Sequence, residues 1–173
     1  MMLKLLVGIV MMMSTSLIGL LKAMQFETRV SELDNIIDSI NVLETEVVYY
    51  QNPLPEALRR SSCRSKGNIN SVYEEIAIEL DKKNGENLDY IWETKVRLKL
   101  ANLPLVKEDI GIIADFGREL GLGNVEEQSK YFNYIKLLLR QQRDIAYDLM
   151  VKNSGLYKRL GILLGITIFI IVI

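Results

Sequence analysis

The chain reads as all-α: an antiparallel bundle of about six helices flanked by an N-terminal and a C-terminal transmembrane helix. Three observations predict this. Apolar residues recur in steps of three and four along most of the middle of the chain, the spacing of one helix face. Both ends are apolar runs edged by basic residues. The three prolines fall between the periodic segments, where they end or start helices. No segment alternates apolar and polar residues in the manner of a half-buried strand.

The first apolar run, Leu5 to Leu21, carries no charge and lies between Lys4 and Lys22. As helix it spans roughly 25 Å, against roughly 30 Å of hydrocarbon, and the two lysines can snorkel across the difference. A cleaved signal peptide is the competing reading, with Ser14 and Ser16 as its small residues. The apolar run continues past both serines, which suits an uncleaved anchor better.

A long helix can follow from this anchor, with Leu33, Ile36, Ile40, Leu43, Val47 and Tyr50 on one face. Asn52-Pro53-Leu54-Pro55 ends it. Pro55 then suits the first turn of a short helix reaching Arg64, and Gly67-Asn68 breaks the chain again. A third helix covers Val72 to about Lys82, with Val72, Ile76 and Leu80 in register beside Tyr73 and Ala77, and Asn84-Gly85 stops it. A fourth covers Leu88 to Leu100, placing Ile91, Lys95 and Leu98 on one side with Leu88 and Trp92 close by; Pro104 closes it. A fifth spans Glu108 to Leu120, turning Ile112, Ile113, Phe116 and Leu120 inward, and stops at Gly121 and Gly123. Asn124 with Glu127 forms a capping box for the sixth. That helix carries Gln128, Tyr131, Ile135, Leu138, Gln142, Ile145 and Leu149 on one face and is expected to end near Asn153-Ser154-Gly155.

The last apolar run is Leu160 to Ile173, lengthened by Gly155 to Tyr157 with Lys158 and Arg159 snorkelling. Its β-branched content also suits a buried strand, but nothing upstream offers a partner strand. Gly161 and Gly165 form a small-xxx-small step that lets helices approach closely, and Gly8 and Gly19 of the first anchor are their natural counterparts. The expected organisation is an anchor over 1–23, a helical bundle over 24–154 and an anchor over 155–173. Lys22, Arg29, Lys152, Lys158 and Arg159 flank the anchors on the bundle side, against Lys4 alone outside, which directs the bundle to the cytoplasm.

Composition removes several function classes. The net charge is −1 and no basic block occurs, so a nucleic-acid surface is not expected. Histidine is absent, which takes away the commonest general base and metal ligand. Cys63 is the single cysteine, so no intramolecular disulfide can form. No phosphate-cradling glycine loop is present. Glu44 and Glu46 stand two apart, positions that point away from each other on a helix; Glu44 and Glu56 can approach across the proline turn. The chain is therefore expected to be non-enzymatic, with no cofactor, no metal and no small-molecule substrate. Partner binding is the expectation for Glu44, Glu46, Tyr49, Pro53, Leu54 and Glu56, since aromatic and apolar groups beside a tight turn are typical of interfaces. Tyr49, Tyr50 and Leu54 serve equally as the bundle's own core.

Three segments carry a resemblance. LETEVVYYQNPLPEAL (Leu43 to Leu58), FGRELGLGNVEEQSKYF (Phe116 to Phe132) and KNSGLYKRLGILLGI (Lys152 to Ile166) resemble the stage III sporulation protein AB family, in order and over nearly the whole chain. That family is similar in turn to the inner-membrane platform protein of type II secretion systems, whose Pro-Leu-x-Glu-Ala-Leu segment corresponds to Pro53, Leu54, Glu56, Ala57 and Leu58. The resemblance implies a scaffold of the channel-like assembly joining mother cell and forespore in endospore formation. It implies as partners the membrane, the other stage III sporulation proteins of the AA to AH set, above all the AA ATPase, and further copies of this chain. It places the chain in the outer forespore membrane with the bundle in the mother-cell cytoplasm. Secretion platform proteins carry two copies of the helical domain, and this chain has one. The competing readings are a two-span adaptor unrelated to sporulation and a signal-cleaved extracytoplasmic domain anchored by its tail.

Overall fold

The computed structural model describes residues 2–82 and 87–172. Its elements are α1 (Met2–Glu44), a π-helical turn (Thr45–Tyr49), α2 (Leu54–Arg64), α3 (Ile69–Asp81), α4 (Leu88–Leu100), α5 (Lys107–Phe116) and α6 (Val125–Val172). No strand occurs among the described residues, and the all-α bundle expected from the periodicity is what forms. Asn84-Gly85, the expected stop of the third helix, lies outside the described residues, as does the side chain of Lys4. The first anchor and the first bundle helix are one continuous element, α1. The last two are likewise one: α6 runs through Asn153-Ser154-Gly155 without a break. That expected stop is corrected, and the reason is local. A glycine inside a long helix costs only about 1 kcal/mol, and the Ser154 hydroxyl donates to Glu27 Oε1 at 3.1 Å instead of competing for the backbone.

The chain divides into two compact units, one made of Met1–Val30 with Asp144–Ile173 and the other of Ser31–Arg143. In the second unit α2 packs on α3, α3 on α4 and α4 on α5. Its core is built from Leu33, Ile36, Ile40 and Leu43 of α1, with Leu58, Val72, Ile76, Val96 and Leu139 from the other helices. A chain of rings runs through it. Trp92 meets Phe116 edge-on at 5.4 Å, Phe116 meets Phe132 at 5.2 Å, and Tyr73 lies 5.9 Å from Trp92. The indole N–H donates to Ile113 O at 2.8 Å, so the buried polar atom of Trp92 is satisfied. Gly117 allows this packing, because a Cβ there would fall inside the indole. Tyr73 is buried, and burial holds its hydroxyl protonated well above the ordinary range, with the Ser39 hydrogen bond opposing. Ser39 Oγ donates to Ile36 O at 2.7 Å and so accepts from Tyr73 Oη at 3.1 Å.

Two faces and one helix end differ from expectation. On α4, Leu98 is 66% exposed and the buried residues are Ile91, Trp92, Val96 and Leu100. On α6, Ile145 and Leu149 face outward, while Phe132, Ile135, Leu139 and Ala146 are buried. Each of these helices offers two overlapping apolar stripes, and the neighbours it packs on select one. α5 stops at Phe116, with turns following to Gly121, yet Leu120 is buried as expected. Its start is fixed by Asp109, whose Oδ2 accepts the Val106 N–H at 3.0 Å.

In the first unit, α1 and α6 are each long and apolar enough to cross a membrane. Only 11% of the most apolar window of each is buried, whereas a core helix of a soluble fold would bury most of it. The buried positions here include Gly8, Gly19, Gly161 and Gly165. A Cβ on Gly161 would stand 2.9 Å from Gly19 Cα, and one on Gly19 would stand 2.7 Å from Tyr157 O. A Cβ on Gly165 would stand 2.9 Å from Met12 O. Backbone lies against backbone, a spacing that only glycine permits. Beside them Phe26 and Tyr157 pack with ring centres 5.8 Å apart, and Lys158 Nζ donates to Glu27 Oε1 at 2.9 Å.

Candidate partner-docking surface

The proline turn begins with a widened helical turn. Tyr50 N–H donates to Thr45 O at 3.0 Å, a five-residue step, and Asn52 N–H donates to Glu46 O at 3.0 Å. Gln51 then takes φ 51°, the one positive value at a non-glycine among the described residues. The wide turn breaks the 3.6-residue register. Glu46 and Val48 turn inward, and Tyr49 and Tyr50 emerge 75% and 64% exposed. Tyr50 is thus off the face shared by Ile40 and Leu43, a correction to the sequence reading. A regular helical count cannot be carried through a π turn.

Glu46 is wholly buried. Its Oε2 accepts from Asn52 Nδ2 at 2.7 Å and its Oε1 from Arg64 Nη1 at 2.8 Å. This carboxylate pins the turn to the last residue of α2. Glu44 Oε2 accepts from Lys136 Nζ of α6 at 2.6 Å, with both side chains close to buried. The two glutamates take separate partners, as positions two apart must. Neither faces outward, so both act on the scaffold of the turn. Pro53 is exposed and Leu54 half-buried at the start of α2. Glu56 is half-buried, its Oε1 accepting from Arg60 Nε at 2.8 Å, and it shares no partner with Glu44.

The second motif meets the first here. Gly121 and Gly123 have φ +80° and +79°, a conformation that glycine adopts freely. Gln128, buried at the start of α6, holds the loop between them and α5. Its Nε2 donates to Glu119 O at 2.9 Å and to Leu122 O, and its Oε1 accepts the Gly121 N–H at 3.2 Å. The capping box forms as expected: Glu127 N–H donates to Asn124 Oδ1 at 2.9 Å, and Asn124 N–H to Glu127 Oε2 at 3.1 Å. Leu54 approaches Gly121 closely enough that a Cβ there would meet its Cδ2 at 3.8 Å.

Between the two segments lies a groove of about 310 Å³, lined among others by Val47, Gln51, Leu54, Gly121, Val125 and Gln128. Val125 in its wall is 47% exposed, and Tyr50 and Leu122, next in sequence to the wall residues Gln51 and Gly121, are each 64% exposed. Nearby, Tyr131 Oη donates to Asp115 O at 3.0 Å, and partial burial, reinforced by Glu119 and Asp115, pushes its pKa up to about 12. The arrangement offers apolar and aromatic contact with backbone edges, which suits protein recognition. Among the described residues no cluster of metal-ligating side chains accompanies it. Sequence reasoning missed Lys136, Arg64 and Leu122. Arg64 and Lys136 find their glutamates only through the tertiary fold. Leu122 had a signal in its place between two chain-reversing glycines, since a loop there cannot turn it into a helix face.

Among the described residues the chain is a helical bundle with two helices long and apolar enough to cross a membrane and a groove at its motif turns. The comparisons specify it further. The family model for stage III sporulation protein AB matches residues 4–173. The chain belongs to that family. It is similar to the stage III sporulation protein AB of Bacillus subtilis (strain 168), with 23% identity over 170 residues, 98% of this chain and 99% of that protein. Its fold is similar to a solved structure of stage III sporulation protein AB (SpoIIIAB), with a TM-score of 0.64 and 20% identity, over 71% of this chain and 96% of that one.

Proposed function

We propose that this chain is a non-catalytic membrane platform of the mother cell–forespore channel assembly, and that it docks a companion secretion-type ATPase. The observation that carries the docking site is the meeting of two motif segments, Leu43 to Leu58 and Phe116 to Phe132, in one groove walled by Leu54 and exposed Val125, with exposed Tyr50 and Leu122 next in sequence to its wall residues Gln51 and Gly121. Membership of a sporulation family supports the setting. The two apolar helices support anchoring at both ends, with 1–23 and 155–173 in the membrane and 24–154 between. The apolar run that continues past Ser14 and Ser16 to Lys22 favours an uncleaved first anchor. The charge rule supports a cytoplasmic bundle, and the resemblance to stage III sporulation protein AB implies the mother-cell cytoplasm and the outer forespore membrane.

Co-purification of the full-length protein with the companion ATPase tests the reading. Tyr50→Ala with Leu122→Ala is expected to lower recovery of the ATPase at least several-fold while the helical signal and melting temperature hold. Charge reversal at Glu56 is expected to weaken it less, because Glu56 is already paired to Arg60. Recovery unchanged in the double variant would remove the groove from the site. Topology is read on the same cells: Cys63 is exposed, so an impermeant maleimide reports its side of the membrane directly. Labelling before lysis would overturn the cytoplasmic placement.

A further inference from the structure

Within the first unit, α1 and α6 flank a second, larger cavity of about 690 Å³ that is open along one side. Its walls include Met12, Met13, Leu17, Leu20, Ile162 and Lys158. The volume falls in the range of ligand sites, roughly 300–1,000 Å³. We propose that this cavity holds one acyl chain of an anionic phospholipid, with the lipid phosphate at Lys158. The proposal rests on the membrane reading above.

The polarity of the cavity matches that occupant. Gly161 lies against Gly19 and Gly165 against Met12, so the two helices run antiparallel and Lys158, three residues before Gly161, stands near the level of Lys22. Met12 lies ten residues deeper in the apolar run, roughly 15 Å along the helix. One end of the cavity is therefore cationic and the other apolar, which is the layout of a lipid and not of a second apolar helix. Methionines at the deep end adapt to a flexible chain.

Charge complementarity selects an anionic headgroup. Residues 1–30 and 144–173 carry Lys4, Lys22, Arg29, Lys152, Lys158 and Arg159 against Glu27, Asp144 and Asp148, while the chain as a whole has net charge −1. Lys22, Lys152 and Arg159 are exposed. Glu27 accepts one N–H of Lys158 and holds the ammonium at the rim; an ammonium has three N–H donors, so a phosphate can share it. Basic pockets between membrane helices bind anionic headgroups in this way.

The test uses the full-length protein in nanodiscs of phosphatidylglycerol with phosphatidylcholine, then extraction into mild detergent and mass spectrometry of the retained lipid. Phosphatidylglycerol is expected to be retained in preference to phosphatidylcholine. Lys158→Gln is expected to abolish the preference, and Lys158→Arg to keep it. Leu17→Trp, which fills the cavity, is expected to lower retention of both lipids. Equal retention of the two lipids, or a preference that survives Lys158→Gln, would overturn the proposal. So would a disulfide-linked dimer formed by Met13→Cys in a Cys63→Ser background, since a second copy would then occupy the cavity. Failure of the protein to float with vesicles of either composition would instead overturn the membrane reading itself.

Discussion

At the scale of single residues, burial decides cost. Ile40 and Leu43 are 1% and 0% exposed, so Ile40→Ala or Leu43→Ala is expected to destabilise the protein by about 2–5 kcal/mol. Leu138 is half-buried, and the same truncation there should cost less than half as much. Chemical denaturation of the full-length variants in one detergent checks the ordering. The inward residues of α1 were legible because a single apolar stripe leaves no choice of face. Leu138, Ile145 and Leu149 were misread because α6 carries a rival stripe through Phe132, Leu139 and Ala146. Charge pairs were not legible at all. Glu75, for example, accepts from Lys99 at 2.5 Å and from Lys95 at 3.2 Å, partners on another helix. The Lys99 hydrogen bond is the main cause that holds the Glu75 carboxyl below its ordinary 4.5, with Lys95 assisting and desolvation opposing. A depressed carboxyl stabilises the fold above its unfolded pKa, and that contribution fades as pH falls through the folded value. The wild type is therefore expected to be slightly more stable than Glu75→Gln at pH 7, by less than about 1 kcal/mol for a pair that is only half-buried. The gap should close below about pH 4. Melting curves over that range check it, and a gap that widened in acid would contradict the pairing.

Among the elements, the cap at Asn124 and the turn at Gly121 and Gly123 were read well, and the stop expected at Asn153-Ser154-Gly155 was not. Asn124 with Glu127 forms its box, and Gly121 and Gly123 reverse the chain, because these signals act within a few residues. The stop expected at Gly155 failed because the surrounding helix outweighs one glycine. The close approach of backbones in the first unit gives a matched test. Gly155 has open space around its Cβ position, so Gly155→Ala is expected to stabilise the protein by up to about 1 kcal/mol. Gly161→Ala sets a methyl 2.9 Å from Gly19 Cα and is expected to destabilise by about 1–3 kcal/mol. Thermal unfolding in detergent reads both, and like signs for the two variants would contradict the packing.

For the whole molecule, the fold class and the two span-length helices were visible because apolar periodicity and apolar length are both one-dimensional properties. The groove was visible only as its halves. Leu43 to Leu58 and Phe116 to Phe132 lie far apart in sequence, and the polar ties that complete their turns, from Arg64 to Glu46 and from Gln128 to Glu119 and Gly121, join residues with no periodic relation. The π turn over Thr45–Tyr49 sets which of these residues the surface presents. It is in effect a helix with one residue too many, and its output is an angle. Deleting Val47 would remove the surplus residue and let the segment rewind as ordinary helix, with Tyr50 six residues after Leu43 instead of seven and so still about 120° off its face. Helical content should hold or rise by circular dichroism while Tyr50 stays open to aqueous quenchers; a shielded Tyr50 would contradict the π turn as the cause of its exposure. The turn thus lets the chain carry an extra residue and keep the heading of a shorter helix.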